Sequence, residues 1–238
     1  MATTLNSHAT VGELVTERPQ RSRVFERLGI DYCCGGKKSL AEVCAAKGYE
    51  ADQVLSLIEE SDASQSTIVI DAATMALTEL CDHIEQTHHA YLKTELPRLD
   101  AMTHKVAAVH GADEPRLVEL RETFIRFRDE LMMHMQKEEH VLFPIIRSME
   151  SGDLSAGAHC GSVANPIAQM EAEHDDAGEA LEAFRRLTDA YTPPAWACNT
   201  FRATYDALAQ LERDMHQHVH KENNVLFPRA IKLERQGG

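Results

Sequence analysis

Hydrophobic positions recur with helical spacing along most of the chain. In the C-terminal two thirds, apolar residues fall three and four positions apart in four long stretches, at about residues 75–99, 115–149, 166–190 and 195–233. The only short β-branched run lies at residues 67–70. Because Gly- and Pro-containing segments separate the stretches, the pattern predicts an all-α fold built on an antiparallel four-helix bundle.

Shorter helices precede the bundle, at about residues 10–60. Capping-box spacings and terminal glycines mark their ends: Thr10 with Glu13, Ser39 with Glu42, Gly29 and Gly48. Residues 61–66 are polar and unpatterned, which predicts a linker. We therefore predict a small helical N-terminal domain over residues 1–62 and the bundle over residues 71–238.

Composition and charge exclude several functional classes. The 238 residues carry 24 basic and 38 acidic side chains, a net charge of −14 that repels phosphate backbones, so nucleic acid is not an expected partner. No apolar run is long enough for a membrane span, and the N-terminus lacks the pattern of a secretory signal. We therefore expect no membrane partner and a cytoplasmic location, in which the six scattered cysteines are reduced thiols.

An internal repeat singles out candidate ligands. Residues 134–144 recur as residues 218–228, with seven of eleven positions identical. Both copies contain His-x-x-x-Glu, which places an imidazole and a carboxylate one turn apart on the same helix face. In the second and fourth helices the heptad seam selects these pairs, His134 with Glu138 and His218 with Glu222, and continues to Val141 in the second helix.

Lone histidines occupy the other two seams. In the third helix, His174 lies among apolar residues at heptad spacing. In the first helix the choice between His88 and His89 stays open, because His88 aligns with the preceding apolar residues and His89 with the following ones. One lone buried histidine is most often a hydrogen-bonded core residue.

Six inward polar groups favour a metal centre over separate hydrogen bonds. Each buried carboxylate costs several kcal/mol unless a partner compensates it, and two divalent ions supply that compensation. Pseudo-symmetry suggests that His89 and His134 serve one metal, His174 and His218 the other, and that Glu138 and Glu222 bridge. The ligand types suit iron, zinc and manganese about equally. Open coordination positions would admit oxygen, nitric oxide or water.

The N-terminal region contains the sequence Asp31-Tyr-Cys33-Cys34-Gly-Gly, just before a capping box. Two interpretations compete for it. The turn is structural and its thiols are buried, or a thiolate is favoured by the nearby helix N-terminus and lysines. A favoured thiolate would suit redox chemistry or iron transfer by Cys33 and Cys34.

These motifs together resemble the RIC family, di-iron proteins of the YtfE/ScdA type that repair iron–sulfur clusters. The resemblance covers nearly the whole chain. It rests on the segments Asp31–Gly36, Asp82–Ile84, His89 to Leu96-Pro97, His134-x-x-Lys137-Glu138, Glu171-x-Glu173-His174-Asp175 and His218–Pro228. It implies a hemerythrin-like bundle and two iron ions as the cofactor, and it favours His89 over His88. It also extends a part in repair to Cys33 and Cys34.

The resemblance implies partners and leaves the activity open. The partners are damaged iron–sulfur proteins or apo acceptors, with nitric oxide or oxygen as small ligands, and the family suggests a homodimer. The first hypothesis is repair of clusters damaged by nitrosative or oxidative stress through iron supply. The alternative is a nitric oxide reducing or binding di-iron oxidoreductase or sensor.

Overall fold

The computed structural model describes residues 5–64, 72–153 and 161–237. Within these ranges every regular element is helical and no strand occurs; Thr10 and Ser39 form one isolated antiparallel bridge. The all-α prediction, a four-helix bundle with a small helical N-terminal region, is confirmed. The β-branched run at residues 67–70 lies outside the described residues. None of the described helices combines the length and apolar character that crossing a membrane requires.

The chain folds into two compact units, and the first of them combines two segments that are separated in the sequence. The first unit contains Met1–Cys81 and His216–Gly238, and the second contains Asp82–Met215. The division into domains at residues 1–62 and 71–238 stays a prediction. The predicted linker at residues 61–66 is wrong in its first part, because a helix continues to Ser64.

Four helices form the N-terminal part of the first unit. They are α1 (Val11–Glu17), α2 (Ser22–Leu28), α3 (Leu40–Lys47) and α4 (Ala51–Ser64), with 3-10 turns at Pro19–Arg21 and Gly35–Lys37. Both predicted capping boxes are formed, at Thr10 and Ser39. Gly29 and Gly48 end α2 and α3 with φ values of 62° and 75°, which favour glycine. These helices enclose a core that includes Val11, Leu14, Phe25, Leu40 and Ile58.

Long helices make up most of the remaining chain. The first comprises α5 (Leu77–Ile84), a π segment π1 (Glu85–His89) and α6 (Ala90–His110); the second comprises α7 (Arg116–Lys137), π2 (Glu138–Leu142) and α8 (Phe143–Glu150); the third is α9 (Ala164–Leu187); the fourth comprises α10 (Asn199–Lys221), π3 (Glu222–Leu226) and α11 (Phe227–Gly237). The first helix runs past the predicted end at residue 99, because Leu99, Thr103 and Val106 continue its buried seam.

The three π segments of the described chain follow from backbone hydrogen bonds that span five residues. The N–H groups of Ala90, Phe143 and Phe227 donate to the carbonyl groups of Glu85, Glu138 and Glu222, respectively. Pro144 and Pro228 lie two positions after the last residues of the second and third segments and have no N–H to continue the α pattern. Single-turn π segments are rare and are concentrated at functional sites.

The wider π turn changes which residue faces inward. Val141, predicted on the inward seam, is 43% exposed, whereas Leu142 is 1% exposed. The prediction for Val141 is therefore wrong. A regular α register places the next inward residue three positions after Glu138, and the π turn delays it by one position.

Candidate metal centre

Three helices of the second unit bring histidines around one carboxylate. His89 lies at the end of π1, Glu138 begins π2, and the Nε2 atoms of His89 and His134 each lie 3.3 Å from Glu138 Oε2. His174, from the middle of α9, places its Nε2 3.0 Å from His134 Nε2. Ligand atoms of His134, Glu138 and His174 lie within 4.8 Å of one another. All four side chains are buried, so the geometry assembles donor atoms away from water.

The second copy of the repeat forms a matching pair in the first unit. His218 lies in the last turn of α10 and Glu222 begins π3. The Nε2 atom of His218 lies 3.0 Å from Glu222 Oε1, and both side chains are fully buried. The spacing of four residues therefore produces the same contact between imidazole and carboxylate in both copies.

The two neighbouring histidines of the first helix point to different partners. His89 contacts Glu138, as described above. His88 is also buried, but its Nδ1 lies 2.9 Å from Asp214 Oδ1. Because consecutive helical residues face different directions, His89 lies beside the carboxylate cluster and His88 forms a separate pair with Asp214.

Two outer carboxylates, to which the sequence patterns assign no role, orient the histidines. Glu139 Oε1 lies 2.8 Å from Nδ1 of His89, and Glu173 Oε2 lies 2.9 Å from Nδ1 of His134. Each carboxylate also pairs with a lysine, Lys93 at 2.7 Å and Lys137 at 2.5 Å. The same lysine–carboxylate–imidazole relay therefore occurs twice. In the sequence, the only indication of this relay is that Glu139 directly follows the candidate ligand Glu138 and that Glu173 directly precedes His174.

Electrostatics keep these outer carboxylates charged. Burial opposes ionisation of Glu173, but hydrogen bonds from Lys137, Gln169 and His134 outweigh it and lower its pKa to about 2. At Glu139 burial is likewise outweighed, and hydrogen bonds from Lys93 and His89 lower the pKa. An ionised carboxylate accepts the Nδ1 proton of an imidazole, which leaves the Nε2 lone pair directed at the inner cluster.

This donor set fits a bound metal ion. Inward Nε2 lone pairs next to a fully buried carboxylate form an N/O cluster of the kind that binds divalent first-row metals. Imidazoles whose other nitrogen is held by a carboxylate are the usual metal-ligating arrangement. The short Nε2–Nε2 distance between His134 and His174, 3.0 Å, is compatible with two lone pairs when a cation lies near both.

A cavity of about 440 Å³ in the second unit lies against His134 and His174 of this cluster. Its lining includes the buried His134 and His174 and the exposed carboxylates of Asp129, Glu130 and Asp176. Negative groups around an opening raise the local concentration of cations. The lining therefore provides a path along which a cation can reach two of the candidate ligands.

The two-cysteine turn is built around Asp31. Its carboxylate accepts hydrogen bonds from the backbone N–H groups of Cys33, Cys34 and Gly35, at 2.9, 3.1 and 2.7 Å. No disulfide joins the two cysteines, and their sulfur atoms lie 3.8 Å apart. Sulfur atoms of both cysteines and a carboxylate oxygen of Asp31 lie close enough to hold one metal ion.

The thiol chemistry differs from the expectation of a favoured thiolate. The hydrogen bond to Cys34, burial and the adjacent Asp31 carboxylate raise the pKa of the Cys33 thiol well above its usual value. For Cys33 these effects favour the interpretation of a buried thiol over that of a favoured thiolate, because the neighbouring Cys34, burial and a negative charge all oppose loss of the proton. A role for Cys33 and Cys34 in transfer or redox chemistry stays a prediction.

Similarity to known proteins agrees with this geometry. Residues 82–230 match the hemerythrin HHE cation binding domain, and residues 7–62 match the ScdA_N domain, described as a domain of unknown function. The chain is 40% identical over 226 residues to the iron–sulfur cluster repair protein YtfE of Enterobacter sp. (strain 638), covering 94% of this chain and 97% of that protein. It is 38% identical over 225 residues to the protein of the same name from Citrobacter koseri, with the same coverage.

The donor set and the similarity lead to one conclusion. A hemerythrin-type domain implies non-haem iron, and the clusters of His and Glu provide suitable ligand atoms. The two matched domains lie in the same order as the two regions expected from the sequence. The chain belongs to the hemerythrin HHE family and, within it, to the iron–sulfur cluster repair proteins of the YtfE type.

Proposed function

We propose that this protein repairs iron–sulfur clusters damaged by nitrosative or oxidative stress, and that it does so by carrying two non-haem iron ions and supplying iron to damaged proteins or apo acceptors. The observation that carries the proposal is the buried cluster of the second unit, in which Glu138 is surrounded by imidazole Nε2 atoms held by ionised outer carboxylates. The relatives named above are repair proteins, which supports the same activity here.

Six residues are the proposed ligands of the two ions: His89, His134, Glu138, His174, His218 and Glu222. The internal repeat supports this set, because it supplies one His-x-x-x-Glu pair from each copy. The contacts of His134 with Glu138 and of His218 with Glu222 have nearly the same length in the two copies. Within the proposed set, Glu138 and Glu222 would supply the carboxylate ligands, and the four histidines would supply the imidazole ligands.

The chain's own residues suit a centre that binds iron and gives it up. The relays that start at Lys93 and Lys137 hold the imidazoles of His89 and His134 in a fixed orientation. The cavity beside His134 and His174 offers a route for the cation, lined by carboxylates that attract it without enclosing it. Iron held by these residues would offer binding positions to small ligands such as oxygen or nitric oxide.

The remaining parts of the proposal concern the surroundings of the centre. A homodimer and a part in iron transfer for Cys33 and Cys34 are proposed on the family resemblance. A cytoplasmic location is proposed as the default for a sequence without a secretory-signal pattern or an apolar run long enough to span a membrane. The proximity of the Asp31 carboxylate to both thiols supports transient binding of iron at the turn. The raised pKa of Cys33 means that a metal ion must displace its proton before the sulfur can bind.

Iron transfer to an acceptor separates supply from turnover. The full-length protein, loaded with iron, is mixed under anaerobic conditions with an apo iron–sulfur protein, and iron in both is measured over time. We expect stoichiometric loss of iron from this protein and a matching gain by the acceptor, without consumption of nitric oxide. Sustained nitric oxide reduction with an electron donor, with the iron retained, would contradict supply and support the oxidoreductase alternative.

A matched pair of variants makes the test specific. Glu138→Ala removes the proposed bridging carboxylate, and Glu182→Ala removes an exposed carboxylate from α9. We expect the first variant to lose iron loading and transfer, and the second to keep both. Equal transfer by the two variants would show that Glu138 is not part of the centre.

A further inference from the structure

The last turns of the fourth long helix carry two sets of functional positions within the first unit. His218 and Glu222 form one set, described above. His216, His220 and Asn224 recur every four residues and contact the segment of Tyr32 and Cys33. Because residues four apart share a helix face, the face next to the ligand pair is packed against the two-cysteine turn.

Asn224 makes the hydrogen bonds that join this face to the turn. Its Nδ2 donates to the carbonyl oxygen of Cys33 at 3.0 Å and lies 3.5 Å from that of Tyr32. His220 Nδ1 lies 3.4 Å from the same Tyr32 oxygen. The rings of Tyr32 and His220 meet edge to face at 5.5 Å between centroids. Asn224 thus connects π3 to the backbone of Cys33 by a hydrogen bond.

The side-chain carboxamide of Asn224 packs closely against the backbone of two glycines. A Cβ atom added to Gly12 or to Gly36 would lie 2.4 Å from Asn224 Oδ1. Neither residue has a positive φ that would itself require glycine. The close approach of Asn224 accounts for the glycine at Gly36, in the 3-10 turn after the cysteines. At Gly12, in α1, the added Cβ would also lie 2.9 Å from the Gly36 carbonyl oxygen, so both contacts favour glycine there.

The internal repeat shows that this face is specific to one copy. In the first copy, the positions that match His220 and Asn224 are Gln136 and His140, and both are exposed. The ligand positions of the two copies are identical. The copies therefore differ at the positions where the fourth helix meets the two-cysteine turn, and agree at the positions of the proposed ligands.

We propose that Asn224 is a positioning residue that couples the Cys33–Cys34 turn to the proposed ligand Glu222. Asn224 lies two residues after Glu222 in the same π segment, so a change in the path of π3 on metal binding moves the carboxamide that holds the Cys33 carbonyl. Coupling of this kind is reciprocal in binding free energies. If metal binding alters the conformation of the turn, and with it the reactivity of the thiols, then modification of the thiols alters the affinity for the metal. This inference rests on the proposed function, because it requires metal at His218 and Glu222.

The test compares thiol alkylation with and without iron in the full-length protein. Iodoacetamide forms a carbon–sulfur bond at a thiolate and releases iodide, and mass spectrometry of the digest gives the rate for Cys33 and Cys34 separately from the other cysteines. In the wild type we expect iron loading to change the alkylation rate at the turn by about 5-fold or more, the lower end of typical coupling between sites. Iron release to a chelator is measured before and after alkylation and should change as well.

Variants approach the contact from both sides. Asn224→Ala and the isosteric Asn224→Asp, which lacks the donating N–H groups, remove the hydrogen bond from the helix side. Gly36→Ala displaces the carboxamide from the turn side. We expect all three to bind iron while the ratio of alkylation rates with and without iron falls to about 1. His140→Ala, at the matching exposed position of the first copy, should keep the wild-type ratio.

The outcomes separate this inference from the proposed function. A wild-type protein that takes up iron but shows no change in alkylation rate contradicts the coupling and leaves iron supply intact. Retention of the wild-type ratio in Asn224→Asp and Gly36→Ala contradicts the role of Asn224. Failure of the wild type to take up iron overturns the proposed function and this inference together. Thermal unfolding identifies any variant that fails to fold. If the variants on one side of the contact do not fold, those on the other side still test the role of Asn224.

Discussion

Replacing Glu173 with Gln removes one negative charge from the relay behind His134 and keeps the size of the side chain. In the wild type, the carboxylate lies 2.9 Å from His134 Nδ1 and also pairs with Lys137. Without the charge, Lys137 raises the local positive potential, and His134 is a weaker donor to a metal. Loss of an outer partner of a ligating histidine typically lowers metal affinity by about 10- to 100-fold, which is about 1.4 to 2.7 kcal/mol.

The same substitution affects the stability of the metal-free protein. The pKa of Glu173 falls from 4.5 to about 2 in the folded state, which corresponds to roughly 3 kcal/mol. Because the side chain is 19% exposed, we expect solvent screening to reduce this to about 1 to 2 kcal/mol. A lowered folded-state pKa stabilises the fold fully above pH 4.5 and loses that effect as the pH falls toward 2. The wild type and Glu173→Gln should therefore differ at pH 6 and converge in acid.

The assay is competition for iron(II) with a chelator of known affinity, together with urea unfolding of the apo protein at several pH values. Glu182→Gln, an exposed position on the same helix, is the matched control and should behave as the wild type. An affinity for Glu173→Gln within about 2-fold of the wild type, below the range expected for such a partner, would show that the relay does not tune His134.

Three further predictions test other parts of the structure. His89→Ala should lower iron content, whereas His88→Ala should keep it and reduce stability through loss of the pair with Asp214; metal analysis decides, and equal iron loss in both variants would contradict the assignment. Leu142→Ala should destabilise the protein by about 2 to 5 kcal/mol and Val141→Ala by less than about 1 kcal/mol, measured by urea unfolding, and the reverse order would refute the π register of the second helix. Cys198, whose pKa is lowered by the backbone amide of Phe201 and by His110, should react with iodoacetamide before Cys33, whose pKa is raised; faster labelling of Cys33 would contradict the buried turn.

Local sequence patterns were sufficient to predict much of the fold and part of the candidate site. The capping boxes at Thr10 and Ser39 were predictable because both partners lie within one turn. The contact of His134 with Glu138 was predictable for the same reason, since residues four apart share a helix face. Sequence patterns on one helix therefore identify the ligands that the helix itself brings together.

Features that depend on distant residues or on irregular helix geometry were not predictable in this way. The relay from Glu139 to His89 joins residues 50 positions apart, and nothing near Glu139 indicates its partner. The π turn at Glu138 replaced the expected inward Val141 with Leu142, because heptad counting assumes an uninterrupted α-helix. The position of Asn224 between Gly12 and Gly36 likewise depends on segments far apart in the chain.

Iron stoichiometry decides whether the six His and Glu side chains form a dinuclear centre. Protein purified from iron-supplied cells should contain two iron ions per chain. The double variant His134→Ala with His218→Ala, which removes one proposed ligand from each copy of the repeat, should contain far less while remaining helical by circular dichroism. Two iron ions per chain in that folded double variant, or none in the wild type, would contradict the assignment.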